Sequence, residues 1–306
     1  MTEKKAVSVV IPSYNSERTI ARCLSALKRQ DCDVDYEIIL VDSSIDGTPE
    51  IVRQHFPDIT YIHLERKTDP GTARNLGVQR ACGELILFID SDCVAPPDWI
   101  RRYVALHRRM PDVAGIGGSV QNGNPPEDPI GWAGYIAEFR EYIPQQPAGF
   151  VTHLPTLNLS YKRWVFDKYG FFDPHYYPQE DLVFNYRLIQ QGEKIYFEPS
   201  IAVLHLHRSN MRAFLNHQVR IGRITSLVLK ELPLSGATIV RHKWLFLLVG
   251  PMLPLVKFVR TLKVFWQRNR SILLRHPLAI FIFKLGLFYW FIGFTSGVFS
   301  ELRESS

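Results

Sequence analysis

Short apolar runs that stop abruptly on polar residues, with helix-patterned segments between them, restrict the possible folds of this chain more than any other feature. Ala6 to Ile11, Glu37 to Val41, Tyr61 to Leu64 and Glu84 to Ile89 each read as a buried strand. After the first run, Ser16 is positioned to cap a helix whose apolar positions Ile20, Leu24 and Leu27 recur at helical spacing. After the second, Asp46 and Gly47 form a turn, with Thr48 as N-cap and Pro49 at the first helical position. Pro70 to Asn75 leads into a third helix ending near Gly83, Pro97 starts a helix to about Met110, and Val113 to Gly118 adds a strand. Such alternation predicts an α/β fold: a doubly wound, mostly parallel sheet flanked by helices, with functional loops at the strand carboxyl ends.

The fourth run ends on two carboxylates one residue apart. Asp90 and Asp92, flanking Ser91, share a face if the strand continues and converge if the chain turns there. Paired carboxylates at a strand's carboxyl end suit a hard divalent cation carrying a diphosphate; the plainer alternative is an Asp-rich turn. Between 119 and 157, Gly and Pro alternate with Trp132, Tyr135, Phe139 and Tyr142, which predicts an elaborated loop holding one amphipathic helix. Most of those rings are expected to pack on the sheet, and acceptor recognition is a further role for the segment. Asn158 to Tyr161 reads as a strand, Lys162 to Tyr169 as a helix stopped by Gly170, and Pro178 to Asp181 as the start of a helix reaching Gly192. Ala202 to Arg208 is a strand pattern with His205 and His207 on one face, a pair that either ligates a metal or lines a polar surface. Gln218, Arg220 and Arg223 follow on a helix.

Charge divides the chain. Residues 1–205 carry 21 basic and 27 acidic side chains, whereas 206–306 carry 15 basic and 3 acidic. A basic, aromatic tail behind a slightly acidic body suggests anionic lipid or phosphorylated ligands, and no base-reading motif points to nucleic acid. Cys23, Cys32, Cys82 and Cys93 show no CxxC spacing, so no disulfide and a reducing compartment are expected. Lys4 and Lys5 precede an apolar run that Pro12, Tyr14 and Asn15 break too early for a signal peptide, which places the body in the cytosol.

The tail is apolar in two stretches. Trp244 to Val256 is 13 residues, interrupted by Gly250, Pro251 and Pro254, against the ~20 that a spanning helix needs. Leu278 to Phe299 is 22 residues broken only by Lys284 and is long enough to span. The stretch between them holds Lys257, Arg260, Lys263, Arg268, Arg270 and Arg275 with no acid. As the loop of a hairpin it would face outward against the positive-inside tendency, so one crossing or none is expected, on the cytoplasmic face of a cell membrane. The alternative is that both stretches pack within a soluble protein or a dimer.

The order of parts resembles the family 2 glycosyltransferases, whose nucleotide-diphospho-sugar-binding fold is called GT-A. The resemblance rests on Val-Ser-Val-Val-Ile-Pro-Ser-Tyr-Asn at 7 to 15, Val-Asp-Ser-Ser-Ile-Asp-Gly-Thr at 41 to 48, Gly-Thr-Ala-Arg-Asn-Leu-Gly at 71 to 77, Asp-Ser-Asp at 90 to 92 and Glu-Asp at 180 to 181. It covers about residues 6–225 and implies a GT-A domain at 1–225; the apolar and basic pattern of the tail adds an expected membrane-associated helical region at 226–306. The resemblance further implies that Pro12, Tyr14, Asp42 and Arg74 surround the nucleotide base, with Asp90 near the ribose, Ser91 beside it, and Asp92 on a Mn2+ or Mg2+ ion. His205 is the expected further metal ligand, with His207 as its substitute, and Arg223 a donor- or acceptor-side contact. Asp181 is the expected general base, with Glu180 orienting it. Many relatives carry a second acid where this chain has Ser43. The implied activity is inverting transfer of a sugar from a nucleotide-diphosphate donor to a hydroxyl of a glycan or lipid-linked acceptor. The competing readings are a polyprenyl-phosphate sugar synthase and a non-catalytic membrane scaffold. A sugar nucleotidyltransferase is disfavoured because no Gly-rich, Arg/Lys-bearing triphosphate loop is present.

Overall fold

The computed structural model describes residues 5–300; Lys4 and the last six residues of the predicted tail lie outside the described residues. The chain forms two compact units, one of residues 1–121 with 142–206 and one of 122–141 with 207–306.

In the first unit, β1 (Val7–Ser13), α1 (Ile20–Lys28), β2 (Tyr36–Asp42), α2 (Thr48–His55), β3 (Thr60–His63), α3 (Pro70–Arg80) and β4 (Leu85–Ile89) follow the predicted alternation. β5 (Cys93–Val94), α4 (Trp99–Arg109) and β6 (Gly115–Asn122) come next. After α5 (Pro129–Glu138), which belongs to the second unit, come β7 (Gly149–Val151), β8 (Asn158–Lys162), α6 (Arg163–Tyr169), α7 (Glu180–Gln190) and β9 (Ile195–His205). The sheet order is β3-β2-β1-β4-β8-β6-β9-β5, with β7 also paired to β9. β3, β2, β1 and β4 are mutually parallel, so Ser13, Asp42 and Ile89 end at one edge. β8 runs antiparallel to β4 with Ile89 opposite Asn158, which brings the start of β8 to that same edge. The core is apolar and aromatic, with Phe88, Tyr161, Phe166, Phe172 and Phe184 packed in edge-on, tilted and stacked pairs.

Several local expectations shift. The N-cap of α1 is Thr19 rather than Ser16, whose carbonyl accepts the amides of Thr19 and Ile20 while its hydroxyl is engaged elsewhere. Gly47 occupies the cap position of α2, and Thr48 instead bonds Asp46. β9 stops at His205; the His207 backbone is held at both its amide and its carbonyl by Asn124, and its ring packs on Tyr135 and Phe139.

The second unit is helical: α5, α8 (Met211–Glu231), α9 (Ala237–Arg241), α10 (Lys243–Val249), α11 (Leu253–Arg275) and α12 (Pro277–Phe299). The basic stretch expected to be a loop is helix α11, because Pro254 falls in its first turn, where a missing amide costs nothing. A kink at Asn269 is the break that remains. α12 lies along α8 with backbone against backbone: a Cβ on Gly222 would stand 1.9 Å from the Trp290 carbonyl oxygen, and one on Gly293 would stand 1.9 Å from that of Val219. Glycine at both places is what lets the helices meet. Val240, Phe246, Trp290, Phe294 and Val298 form this unit's own apolar cluster.

Candidate active site

The loops after β1 and β2 are laced together. Asn15 N donates to Ser44 Oγ at 2.7 Å, Ser16 N to Thr48 Oγ1 at 2.9 Å, and Gly47 N to Glu17 Oε2 at 2.9 Å. In return Ile45 N donates to Asn15 Oδ1 at 3.1 Å, with Asn15 held at φ 52°, a left-handed conformation that asparagine tolerates. Pro12 is buried beneath these loops, while the Tyr14 ring is exposed at their rim with Lys67 Nζ 4.2 Å from its centroid.

Asp42, at the end of β2, is wholly enclosed. One of its oxygens accepts from Ser44 Oγ and the other from Tyr61 OH at 3.0 Å, with His63 Nδ1 3.1 Å away. Burial, and then the Asp42 charge, push the Tyr61 phenol well above its ordinary value, so it stays a donor. Asp42 therefore ties Ser44, Tyr61 and His63 together at the end of β2.

The end of β4 is the centre of the arrangement. Ser91 Oγ lies 2.7 Å from Ser16 Oγ, joining this turn to the β1 loop. Asp90 accepts a 2.7 Å bond from Arg74 Nη2, and Arg74 Nη1 donates to Glu180 Oε1 at 2.8 Å. Arg74 thus bridges the strand end to the first turn of α7. α7 comes that close because residue 71 is glycine: a Cβ there would meet Glu180 Cγ at 3.1 Å and Asp69 Oδ1 at 3.1 Å. Burial pushes the Glu180 carboxyl up to about 7 against the pull of the guanidinium. Its second oxygen is buried without a partner.

Asp181, next in α7, accepts from Thr156 N at 3.2 Å and from its own helix at Leu182 N. Thr156 lies just before Asn158, the residue opposite Ile89, so Asp181 stands at the same sheet edge as the Asp-Ser-Asp turn. Asp92 faces β9: its Oδ1 is 3.4 Å from His205 Nε2, and Cys93 pairs with His205 across β5 and β9. Ligand atoms of Asp92, Cys93 and His205 lie within 4.8 Å of one another. Burial raises the Cys93 thiol far above its usual range, and the Asp92 carboxylate and His205 imidazole are donors of the kinds that could hold a divalent cation. Arg223 is exposed on α8, in the second unit. The Arg74 bridge, the Ser16–Ser91 contact and the Thr156 amide were not read from the sequence, since each joins residues remote along the chain.

Known proteins bear on this arrangement. The sequence profile described as "Glycosyl transferase family 2" matches residues 8–171. A dolichyl N-acetyl-alpha-D-glucosaminyl phosphate 3-beta-D-2,3-diacetamido-2,3-dideoxy-beta-D-glucuronosyltransferase of Methanococcus voltae is 20% identical over 93% of this chain and 95% of its own. Glycosyltransferase AglE of Haloferax volcanii is 27% identical over 71% and 72%. Among solved structures, the mannosyltransferase PcManGT of Pyrobaculum calidifontis, in complex with GDP-Man and Mn2+, superposes with a TM-score of 0.60 at 18% identity over 97% of this chain and 88% of that one. TarS 1-349 of S. aureus with UDP-GlcNAc gives 0.54 at 18% identity over 95% and 91%. The likeness to the two solved structures supports a GT-A fold for this chain. With the family's profile covering more than half of its length, the chain belongs to glycosyl transferase family 2 and is a glycosyltransferase.

Proposed function

We propose that the enzyme is an inverting, metal-dependent transferase that moves a sugar from a nucleotide-diphosphate donor to a hydroxyl of a glycan or lipid-linked glycan. The observation that carries this reading is the bridge from Asp90 through Arg74 to Glu180, which fixes the turn bearing Asp92 to the helix bearing Asp181. In-line displacement needs leaving group and base on opposite sides of one carbon, held by rigid elements. Asp181 takes the proton of the acceptor hydroxyl as its oxygen bonds to the anomeric carbon. The bond from that carbon to the diphosphate oxygen breaks with its electron pair on the diphosphate, and the configuration inverts. Asp92 and His205 would hold a divalent cation, which when bound neutralises charge on the diphosphate. Tyr14 lies against the base, with buried Pro12 and Asp42 supporting the loops behind it. Supporting the acceptor class, the Methanococcus relative is named for a dolichyl-linked sugar phosphate. A polyprenyl-phosphate acceptor arrives ionised and leaves Asp181 without a task, which favours the hydroxyl.

We also place the enzyme on anionic lipid at the cytoplasmic face of a membrane. Two stretches, Lys243–Arg275 and Pro277–Phe299, are long and apolar enough to cross by length and composition.

The test is transfer by the purified full chain across nucleotide sugars, with Mn2+ or with chelator, read as nucleotide diphosphate released. Asp181→Asn should keep nucleotide binding and lose about 10²–10⁴-fold in kcat. Asp92→Asn should abolish the Mn2+-dependent part of nucleotide binding. Wild-type turnover in Asp181→Asn would remove the proposed base.

A further inference from the structure

We infer that the C-terminal helices lie flat in one leaflet of an anionic bilayer and that neither long apolar helix crosses it. The inference rests on the membrane association proposed above and concerns its mode.

α12 is apolar on every side, yet its sides differ in what they meet. Ala279, Ile282, Phe283, Gly286, Trp290, Phe294 and Val298 are buried, while Leu278, Phe281, Leu285, Phe288, Ile292 and Phe299 are exposed at the same three-to-four-residue spacing. The buried side is occupied by α8 along most of that helix. Phe214 meets Gly286, Gly222 and Val219 meet Trp290 and Gly293, Ser226 meets Gly297, and Lys230 Nζ donates to the Gly297 and Ser300 carbonyls. A crossing by α12 would therefore carry α8 into hydrocarbon beside it. α8 presents Arg212, Arg220 and Arg223 to solvent, and its Gln218 and His217 engage Glu138 of α5. Charged groups at mid-bilayer are costly, and a crossing would carry the exposed arginines of α8 into lipid tails.

α11 is tied in the same way. Arg140 Nη1 donates to the buried Thr261 Oγ1 at 3.1 Å, Arg260 Nη2 lies 2.9 Å from Glu141, and Trp132 stacks on His276 with ring centroids 3.8 Å apart. Both helices thus have protein along one side and an exposed apolar stripe on the other. The outward residues of α10 and α11 are Trp244, Leu247, Leu248, Leu255, Val256 and Trp266, all more than half exposed. The occupant is chosen by charge: residues 232–300 hold nine Lys and Arg and no Asp or Glu. Apolar stripes with exposed tryptophans and an all-basic polar side match the headgroup boundary of an anionic leaflet, where Lys284 can extend its ammonium outward from among Phe281, Leu285 and Phe288.

The test uses the purified full chain with vesicles of phosphatidylcholine, with and without phosphatidylglycerol. Co-sedimentation should need the anionic lipid and weaken with salt, and tryptophan emission should be quenched more by lipids brominated near the headgroup than near the chain end. Leu248→Asp with Phe281→Asp, both at exposed positions, should cut partitioning at least tenfold with the melting temperature unchanged. In cells, Arg270→Cys or Ser300→Cys, with Cys32 and Cys82 replaced by Ser, should react with an impermeant maleimide only after lysis. Failure to sediment with either vesicle would remove the membrane association itself. Sedimentation together with labelling at position 270 or 300 in intact spheroplasts would keep association and overturn the flat placement, as would undiminished partitioning of the double Asp variant.

Discussion

Hydrogen bonds fix the tautomer of His107 on α4 and make its burial a pH-dependent contribution to stability. The Ser160 hydroxyl donates to the Ile116 carbonyl at 2.8 Å, so toward His107 Nε2, also 2.8 Å away, it accepts. The Nε2–H tautomer follows, and Nδ1 is left bare and buried. Protonating Nδ1 would strand a charge in the core, and burial accordingly lowers the His107 value from 6.5 to about 3. Between these values the unfolded chain takes up a proton that the folded chain refuses. The stabilisation is complete above the unfolded value and is lost as pH falls. His107→Gln should therefore lower the slope of unfolding free energy against pH by about 1.4 kcal/mol per unit between roughly pH 6 and 4. Denaturant melts across that range measure it; His153, also depressed by burial, leaves a residual slope in the variant. An unchanged slope would mean that His107 is protonated in the fold.

Elements are coupled at this site by a side chain whose importance is invisible in local sequence. Arg74 sits in α3, Asp90 after β4 and Glu180 at the start of α7, and the Arg74–Glu180 pair spans 106 residues. Arg74→Met keeps the stem's packing but leaves one deeply buried carboxylate and one partly exposed one facing each other. Removing one member of a buried ion pair costs about 3–5 kcal/mol, with the lower figure expected here because the Asp90 side chain is 29% exposed. Arg74→Lys should recover only part of this, since one ammonium replaces a planar fork that reaches both acids. Thermal melts read the loss, and a midpoint unmoved in Arg74→Met would show the bridge to be incidental. The strands were legible in the sequence because apolar periodicity is a local property, and the Asp-Ser-Asp and Glu-Asp pairs because they are contiguous. The caps of α1 and α2 were misplaced because Ser16 and Thr48 serve another loop instead of their own helices. Nothing local could have shown that α5 would pack with α8 and α12, because its small residues Ala133 and Gly134 signal close packing without naming the partner.

At the scale of the whole chain, charge and connectivity divide it differently. The switch to a basic composition falls after residue 205, and the second compact unit resumes at His207 but also recruits residues 122–141. That recruitment matters for any attempt to obtain a soluble enzyme by shortening the chain. The apolar side of α8, with Phe214, Gly222, Ser226 and Val228 buried, is covered in large part by α12, and Phe265 of α11 packs on Tyr135 of α5. Ending the chain at Glu231 removes α12 and α11 together. Phe214 and Val228 alone would then forfeit about 1.5–3 kcal/mol each of apolar burial, and a contiguous greasy strip would face water. The shortened chain is expected to elute as aggregate, to bind a hydrophobic dye and to be cut by protease within 211–231. The full chain bearing Leu248→Asp and Phe281→Asp should instead run as a discrete species without detergent, because those side chains face outward and their loss uncovers nothing. A monodisperse, cooperatively melting chain ending at Glu231 would show that α8 needs no cover from α12. The charged double variant, and not the truncation, would then no longer be the preferred route to a detergent-free enzyme.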